Sequence, residues 1–154
     1  MEIADLLTPE SVIANLKVTS KKQSLQELAK RAAEFYELDE RQVFDVLQER
    51  EKLGTTGVGN GIAIPHGKLP DLDRLYGVFA RLEKPIDFEA IDERPVDLIF
   101  LLVAPENAGA DHLKALSRVS RLMRDKSVCE KLRATDSAEA LYAILTEQAA
   151  TRAA

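Results

Sequence analysis

Residues Val96 to Val103 read Val-Asp-Leu-Ile-Phe-Leu-Leu-Val, and so apolar a run dictates much of what surrounds it. It is far short of the ~20 apolar residues that a membrane-spanning helix requires. It also lacks the alternation of a strand with one wet face. A strand buried on both faces fits, and such a strand needs helices packed above and below its sheet.

The remaining apolar pattern supplies that cover. Val12, Ile13, Leu16 and Val18 form a short extended segment, after which Ser20 and Gln23 spell a Ser-x-x-Gln capping box. Leu25, Leu28, Ala29, Ala32 and Phe35 then recur at helical spacing until about Tyr36. Asp39 caps a second helix carrying Val43, Val46 and Leu47, which ends near Lys52 because Gly54 follows, with Gly57, Gly59 and Gly61 beyond it. Ile62 to Ile64 reads as a brief strand cut off by Pro65, and Leu75 to Leu82 as another. A third helix, from about Ala110 to Arg124, turns Leu113, Leu116, Val119 and Met123 inward. Two shorter helical stretches complete the chain, the last starting at Asp136 with Glu139 three residues on. These elements predict an α/β fold, a mixed β-sheet sandwiched between helices on both faces. One domain over 1–154 is expected, with an ordered core of about 5–148 and a frayed tail at 149–154.

Charge and composition exclude several classes. Lys and Arg number 21 against 26 Asp and Glu, and the net charge of −5 argues against a general nucleic-acid binder. The basic stripe of Lys114, Arg118 and Arg121 reads as a solvated helix face. Cys129, the single cysteine, reads as a small apolar filler and forms no intrachain disulfide. With no leader and no spanning segment, a cytoplasmic protein without stable membrane insertion is expected. The glycine loop misses the dinucleotide fingerprint, and neither a Gly-Lys-Ser/Thr phosphate loop nor a G-x-S-x-G elbow occurs. Asp111, His112 and His66 lack the paired spacing of a zinc site, so no metal and no cofactor is expected.

Chemistry narrows to two histidines and one arginine. His66 follows Gly59-Asn60-Gly61-Ile62-Ala63-Ile64-Pro65 and precedes Gly67, which places its imidazole on a stiff corner just past a strand end. Taken alone, a solvated or hydrogen-bonded turn histidine is the better explanation of it. His112 precedes Leu116 by four residues and Val119 by seven, so it shares the inward face at the start of the third helix, where free N–H groups favour anions. Arg50 falls four residues after Val46 and three after Leu47 and also turns inward, beside the glycine loop.

The stretch from Glu51 to Gly67, with Val58-Gly59 and then Ile62-Ala63-Ile64-Pro65-His66-Gly67, resembles the active-site signature of fructose/mannitol-type enzyme IIA domains of the bacterial phosphotransferase system. Ser20-Lys21-Lys22, Arg50 to Gly54, Phe88 to Asp92, Pro95 to Leu98 and Asp111 to Lys114 extend the likeness over nearly the whole chain. It is nearest to the nitrogen-regulatory branch. The resemblance implies that His66 takes a phosphoryl group as tele-phosphohistidine from an HPr-like histidine phosphocarrier, with Arg50 and His112 lining the pocket. Backbone groups of Thr55, Thr56, Gly57 and Gly59 are the candidate phosphate cradle, Thr55 standing where many relatives carry serine. It implies regulatory protein targets such as sensor kinases or ion-transport regulators, chosen by phosphorylation state. Two alternatives stay open: a sugar-specific enzyme IIA passing phosphate to a separate enzyme IIB, and a non-catalytic anion-binding module. The absence of an attached enzyme IIB favours the regulatory role.

Overall fold

The computed structural model describes the backbone of residues 1–153 and the side chains of residues 1–147. The frayed tail anticipated at 149–154 falls outside the residues whose side chains are described. After two single-turn 3-10 segments, the elements are β1 (Val12–Leu16), α1 (Lys21–Tyr36), α2 (Glu40–Lys52), β2 (Gly57–Gly59), β3 (Ile62–Ala63), β4 (His66–Leu69), β5 (Tyr76–Ile86), β6 (Val96–Pro105), α3 (Ala110–Met123), α4 (Lys126–Arg133) and α5 (Ala138–Ala153).

The apolar run is strand β6, and it is the hub of a mixed sheet. It pairs antiparallel with β5 and parallel with both β3 and β4, giving the order β1-β5-β6-β3-β2 with β4 also on β6. Successive side chains of a strand point to opposite faces. Accordingly Leu98, Phe100, Leu102 and Ala104 join a core with Val119 of α3, Leu132 of α4 and Leu141 of α5. Ile99, Leu101 and Val103 join a second core with Leu28 of α1 and Val43 and Leu47 of α2. The sheet is thus covered by helices on both faces, as the run required. No helix among the described residues is long and apolar enough to cross a membrane.

Helix starts follow local chemistry. The Ser20 hydroxyl accepts from the Gln23 amide at 3.1 Å, but Gln23 returns its bond to the amide of Thr19 rather than Ser20. Asp39 accepts from the Gln42 amide at 3.1 Å, as its position promised. At α5 the cap is Ser137, whose hydroxyl accepts from Ala140, so the helix begins after the anticipated Asp136. Leu113 is also corrected. It lies on the outer side of α3 and is 68% exposed, because the inward stripe runs through His112, Ala115, Val119 and Met123 instead.

The main correction concerns the segment around His66. Pro65 does not end the strand at a corner; His66 opens β4, which resumes pairing with β6. Proline has no N–H to donate, yet its carbonyl still accepts from the Leu102 amide at 3.0 Å. Ile62 lies opposite Leu98 and His66 opposite Leu102, so β3 and β4 keep one common register across the interruption. Gly67 is required here, because a Cβ would come within 2.8 Å of Val46 Cγ2 on α2.

Gly57 in β2 is crowded by main chain as well as side chain, since an added Cβ would lie 2.9 Å from both Cα and Cβ of Ala90. The Gly57 carbonyl also accepts from the Ile91 amide, which holds the two segments together. Overpacking of this kind costs about 1–3 kcal/mol. Gly57→Ala is expected to lower the unfolding free energy by that amount, read as a lower urea midpoint with an unchanged m value; an unshifted midpoint would mean that the Phe88–Ala90 loop yields freely.

Candidate functional site

His66 reaches the α3 side of the sheet by strand alternation. Ile62 and Ile64 belong to the core on that side, whereas Ala63 and Leu69 belong to the other. The imidazole Nδ1 lies 2.8 Å from the Ile64 carbonyl oxygen. A carbonyl only accepts, so Nδ1 carries the proton and the neutral ring presents its lone pair at Nε2. Burial pushes the His66 pKa below the usual histidine value. The Ile64 hydrogen bond opposes that shift, the Arg50 charge reinforces it and the Glu51 charge opposes it.

His112 is the third residue of α3 and is 8% exposed. Its ring centre stands 5.6 Å from that of His66, with the planes inclined at 50°. Gly109 precedes the helix at φ +56°, a conformation natural to glycine. Burial lowers the His112 pKa, and the charges of His66 and Lys68 lower it further. Its Nδ1 is buried without a hydrogen-bond partner among the described residues.

Arg50 is half-buried in the last turn of α2. Its Nη1 donates to the Gly54 carbonyl at 2.8 Å, so the guanidinium folds over the turn that leaves its own helix. The inward placement read from spacing is therefore qualified: part of the donor set is spent on the loop, while the charge is still felt at His66.

The glycine loop is held by side chains that sequence reasoning assigned no role. Glu51, 6% exposed at its side chain, accepts from the Thr56 amide at 3.0 Å and from the Thr56 hydroxyl. Lys21, at the start of α1, pairs with the same carboxylate at 3.1 Å and lies 5.0 Å over the Phe88 ring. Thr55 donates its hydroxyl to the Phe88 carbonyl and accepts from the Gly57 amide at 3.0 Å. The N–H groups of Thr56 and Gly57 are thus engaged within the loop, which corrects the picture of free cradle donors at those two positions. Gly59 sits at φ +105°, where a Cβ would lie 3.3 Å from Asp92 Oδ2. Lys21 and Glu51 were visible only as members of the family-like motifs; their buried pairing arises from two separate helices.

Among the described residues no group of three or more His, Cys, Asp or Glu is placed to hold a metal ion, and Asp111 is exposed. Cys129 is buried in α4 with its thiol near the Met123 carbonyl, and burial raises its pKa, so it packs as the filler that its pattern indicated. Leu53 after α2, Val58 in β2, Ile91 bonded through its amide to Gly57, and Leu113 beside His112 in α3 are exposed apolar side chains.

The family of the phosphoenolpyruvate-dependent sugar phosphotransferase system, EIIA 2, matches residues 5–148. The chain belongs to this family. It is similar to a nitrogen regulatory protein of Bradyrhizobium diazoefficiens, with 60% identity over 153 residues that cover 99% of this chain and 100% of the relative. A nitrogen regulatory protein of Escherichia coli is 43% identical over 98% of this chain and 93% of its own length. The crystal structure of nitrogen regulatory protein IIA-Ntr from Neisseria meningitidis superposes with a TM-score of 0.88 at 40% identity, covering 94% of this chain and 99% of that one. This enzyme IIA is therefore a phosphotransferase component with the mixed open sheet and helical cover of its relatives.

The two lowered histidine pKa values carry a stability signature. The unfolded chain titrates near the ordinary value of 6.5, whereas both folded imidazoles titrate below it. Between those values the unfolded state binds more protons, so stability is full above pH 6.5 and falls as pH drops beneath it. Urea midpoints measured across that interval should decline in the natural protein and decline less in a His66→Gln/His112→Gln variant. An identical slope in the variant would place the proton uptake elsewhere.

Proposed function

We propose that this enzyme IIA works in nitrogen regulation by accepting a phosphoryl group on Nε2 of His66 from an HPr-like phosphocarrier in the cytoplasm. One observation supports the acceptor atom above all: the Ile64 carbonyl occupies Nδ1–H and leaves the Nε2 lone pair as the nucleophile. In the transfer, that lone pair forms the new N–P bond while the P–N bond of the carrier's phosphohistidine breaks and returns its electrons to the carrier's ring. The Nδ1 proton stays in place, and the Ile64 carbonyl stabilises the positive charge that develops on the His66 ring.

The lowered pKa keeps His66 neutral at cytoplasmic pH, which a nucleophilic ring requires. His112 holds a buried, unpartnered ring nitrogen next to the acceptor, and Arg50 supplies positive charge. Electrostatic stabilisers of this sort dominate phosphoryl transfer. The regulatory reading rests on the full-length likeness at 60% identity to a nitrogen regulatory protein. Phosphorylation adds roughly −1.5 to −2 charge units at His66, on a chain that exposes apolar Leu53, Val58, Ile91 and Leu113. Regulatory targets such as sensor kinases or ion-transport regulators that pack over His66 then distinguish the two forms.

Incubation with phosphoenolpyruvate, enzyme I and carrier should yield one acid-labile, alkali-stable phosphoryl group, absent in His66→Ala. Label retained in that variant, or found on His112, would overturn the assignment. His112→Ala and Arg50→Ala should still accept label, at rates lower by about 10²-fold. Unchanged rates in folded variants would leave both side chains with structural roles alone.

A further inference from the structure

A concavity opens on the α3 side of the sheet. It has a volume of about 720 Å³ and lies between the β2–β3 loop and the junction of α3 with α4. Small-molecule sites typically measure about 300–1,000 Å³ and combine an apolar lining with a few polar groups. Ile62, Ile64, Met123 and Cys129, all buried residues, contribute its lining. Arg94, Arg124, Lys126 and Arg133 contribute cationic side chains, and Glu130 the opposing charge.

The cations are not equivalent. Arg133 is pinned, with Nε and Nη2 donating to the Asp97 carboxylate at 2.8 and 2.9 Å and Nη2 also donating to the Asn60 carbonyl. That bracket shapes the wall, and its charge is already neutralised. Arg94 stands beside Asp92, whose carboxyl pKa is lowered chiefly by hydrogen bonds from the Asn60 and Arg94 amides and to a smaller extent by the Arg94 charge. The side chains of Arg124 and Lys126 make no hydrogen bond or ion pair with the described residues. On a chain whose net charge is −5, this concavity therefore collects a local surplus of positive charge over an apolar floor.

We propose that the cavity binds a small amphipathic organic anion, its apolar body against Ile62, Ile64, Met123 and Cys129 and its carboxylate or phosphate ester between Arg124 and Lys126. Occupancy is felt at His66 through one residue. The Ile64 side chain lines the cavity while the Ile64 carbonyl holds Nδ1 of His66, so a ligand that presses on the former adjusts the orientation of the latter. The consequence for phosphoryl transfer rests on the acceptor role proposed above for His66, whereas binding itself does not.

The test is an NMR titration of the full unphosphorylated chain with octanoate, octyl phosphate, inorganic phosphate and octylammonium. Both amphipathic anions should give saturable shifts at the amides of Asn60, Ser120 and Lys126 and move the ring resonances of His66. Octylammonium should leave these amides unmoved, and inorganic phosphate should bind at least tenfold more weakly than octyl phosphate. Arg124→Glu combined with Lys126→Glu, both surface changes, should weaken octanoate at least tenfold with the rest of the spectrum preserved. Absence of saturable anion binding, equal binding of octylammonium, or no effect of the double variant would overturn the site. Saturable binding with the His66 ring unmoved would overturn the link through Ile64. No arm involves phosphoryl transfer, so a chain that failed to label at His66 would leave these outcomes readable.

Discussion

Parallel pairing between the segment 62–69 and β6 positions the whole site. β6 is buried along nearly its entire length, and that burial is what makes it able to hold partners on both sides and helices on both faces. Once β4 is hydrogen-bonded to it, His66 has a fixed height relative to Leu102 and a fixed side of the sheet. α3 then delivers His112 to the same side, and α2 closes on Gly67 from the opposite one. The acceptor therefore rests on a core strand rather than on a compliant loop, the kind of support that a transfer centre needs to hold its geometry.

Electrostatics around His66 are arranged as a contest. Burial and Arg50 favour the neutral ring, whereas Glu51 and the Ile64 carbonyl favour the protonated one. Burial is the largest contribution, and the ring remains a nucleophile. Glu51 is meanwhile surrounded by Lys21 and both donors of Thr56, which satisfies a carboxylate that would otherwise be costly to bury. Removing one member of such a group leaves the rest uncompensated, a loss of about 3–5 kcal/mol for a fully buried pair. The network makes the loop conformation depend on α1 and α2 together.

Much of this was legible in the sequence because it follows from periodicity. The two-sided burial of β6, the starts of α1 and α2 at Ser20 and Asp39, and the inward turn of His112 all come from spacing and capping rules. β2 and β4 were not legible. Gly-Val-Gly and His-Gly-Lys-Leu have little intrinsic strand preference and are strands because β3 and β6 offer them partners. Leu113 misled because helical spacing alone admits it to the edge of an apolar stripe, and only the position of the sheet decides which edge is covered. Likewise Arg50 pointed the right way, but its bond to Gly54 depends on how the chain leaves α2. The Lys21–Glu51 pair links residues thirty positions apart and leaves no local trace.

The unbroken register on either side of Pro65 has a consequence for how this segment tolerates length changes. Strand faces alternate with a period of two, so the interruption preserves sidedness only because it spans an even number of residues, Ile64 and Pro65. A single-residue insertion or deletion there would reverse odd and even downstream of it. The imidazole would be carried to the face of Val46 and the glycine to the face of His112, each into a space shaped for the other. Across the segment that separates the two short strands, parity rather than the identity of the bridging residues is the invariant.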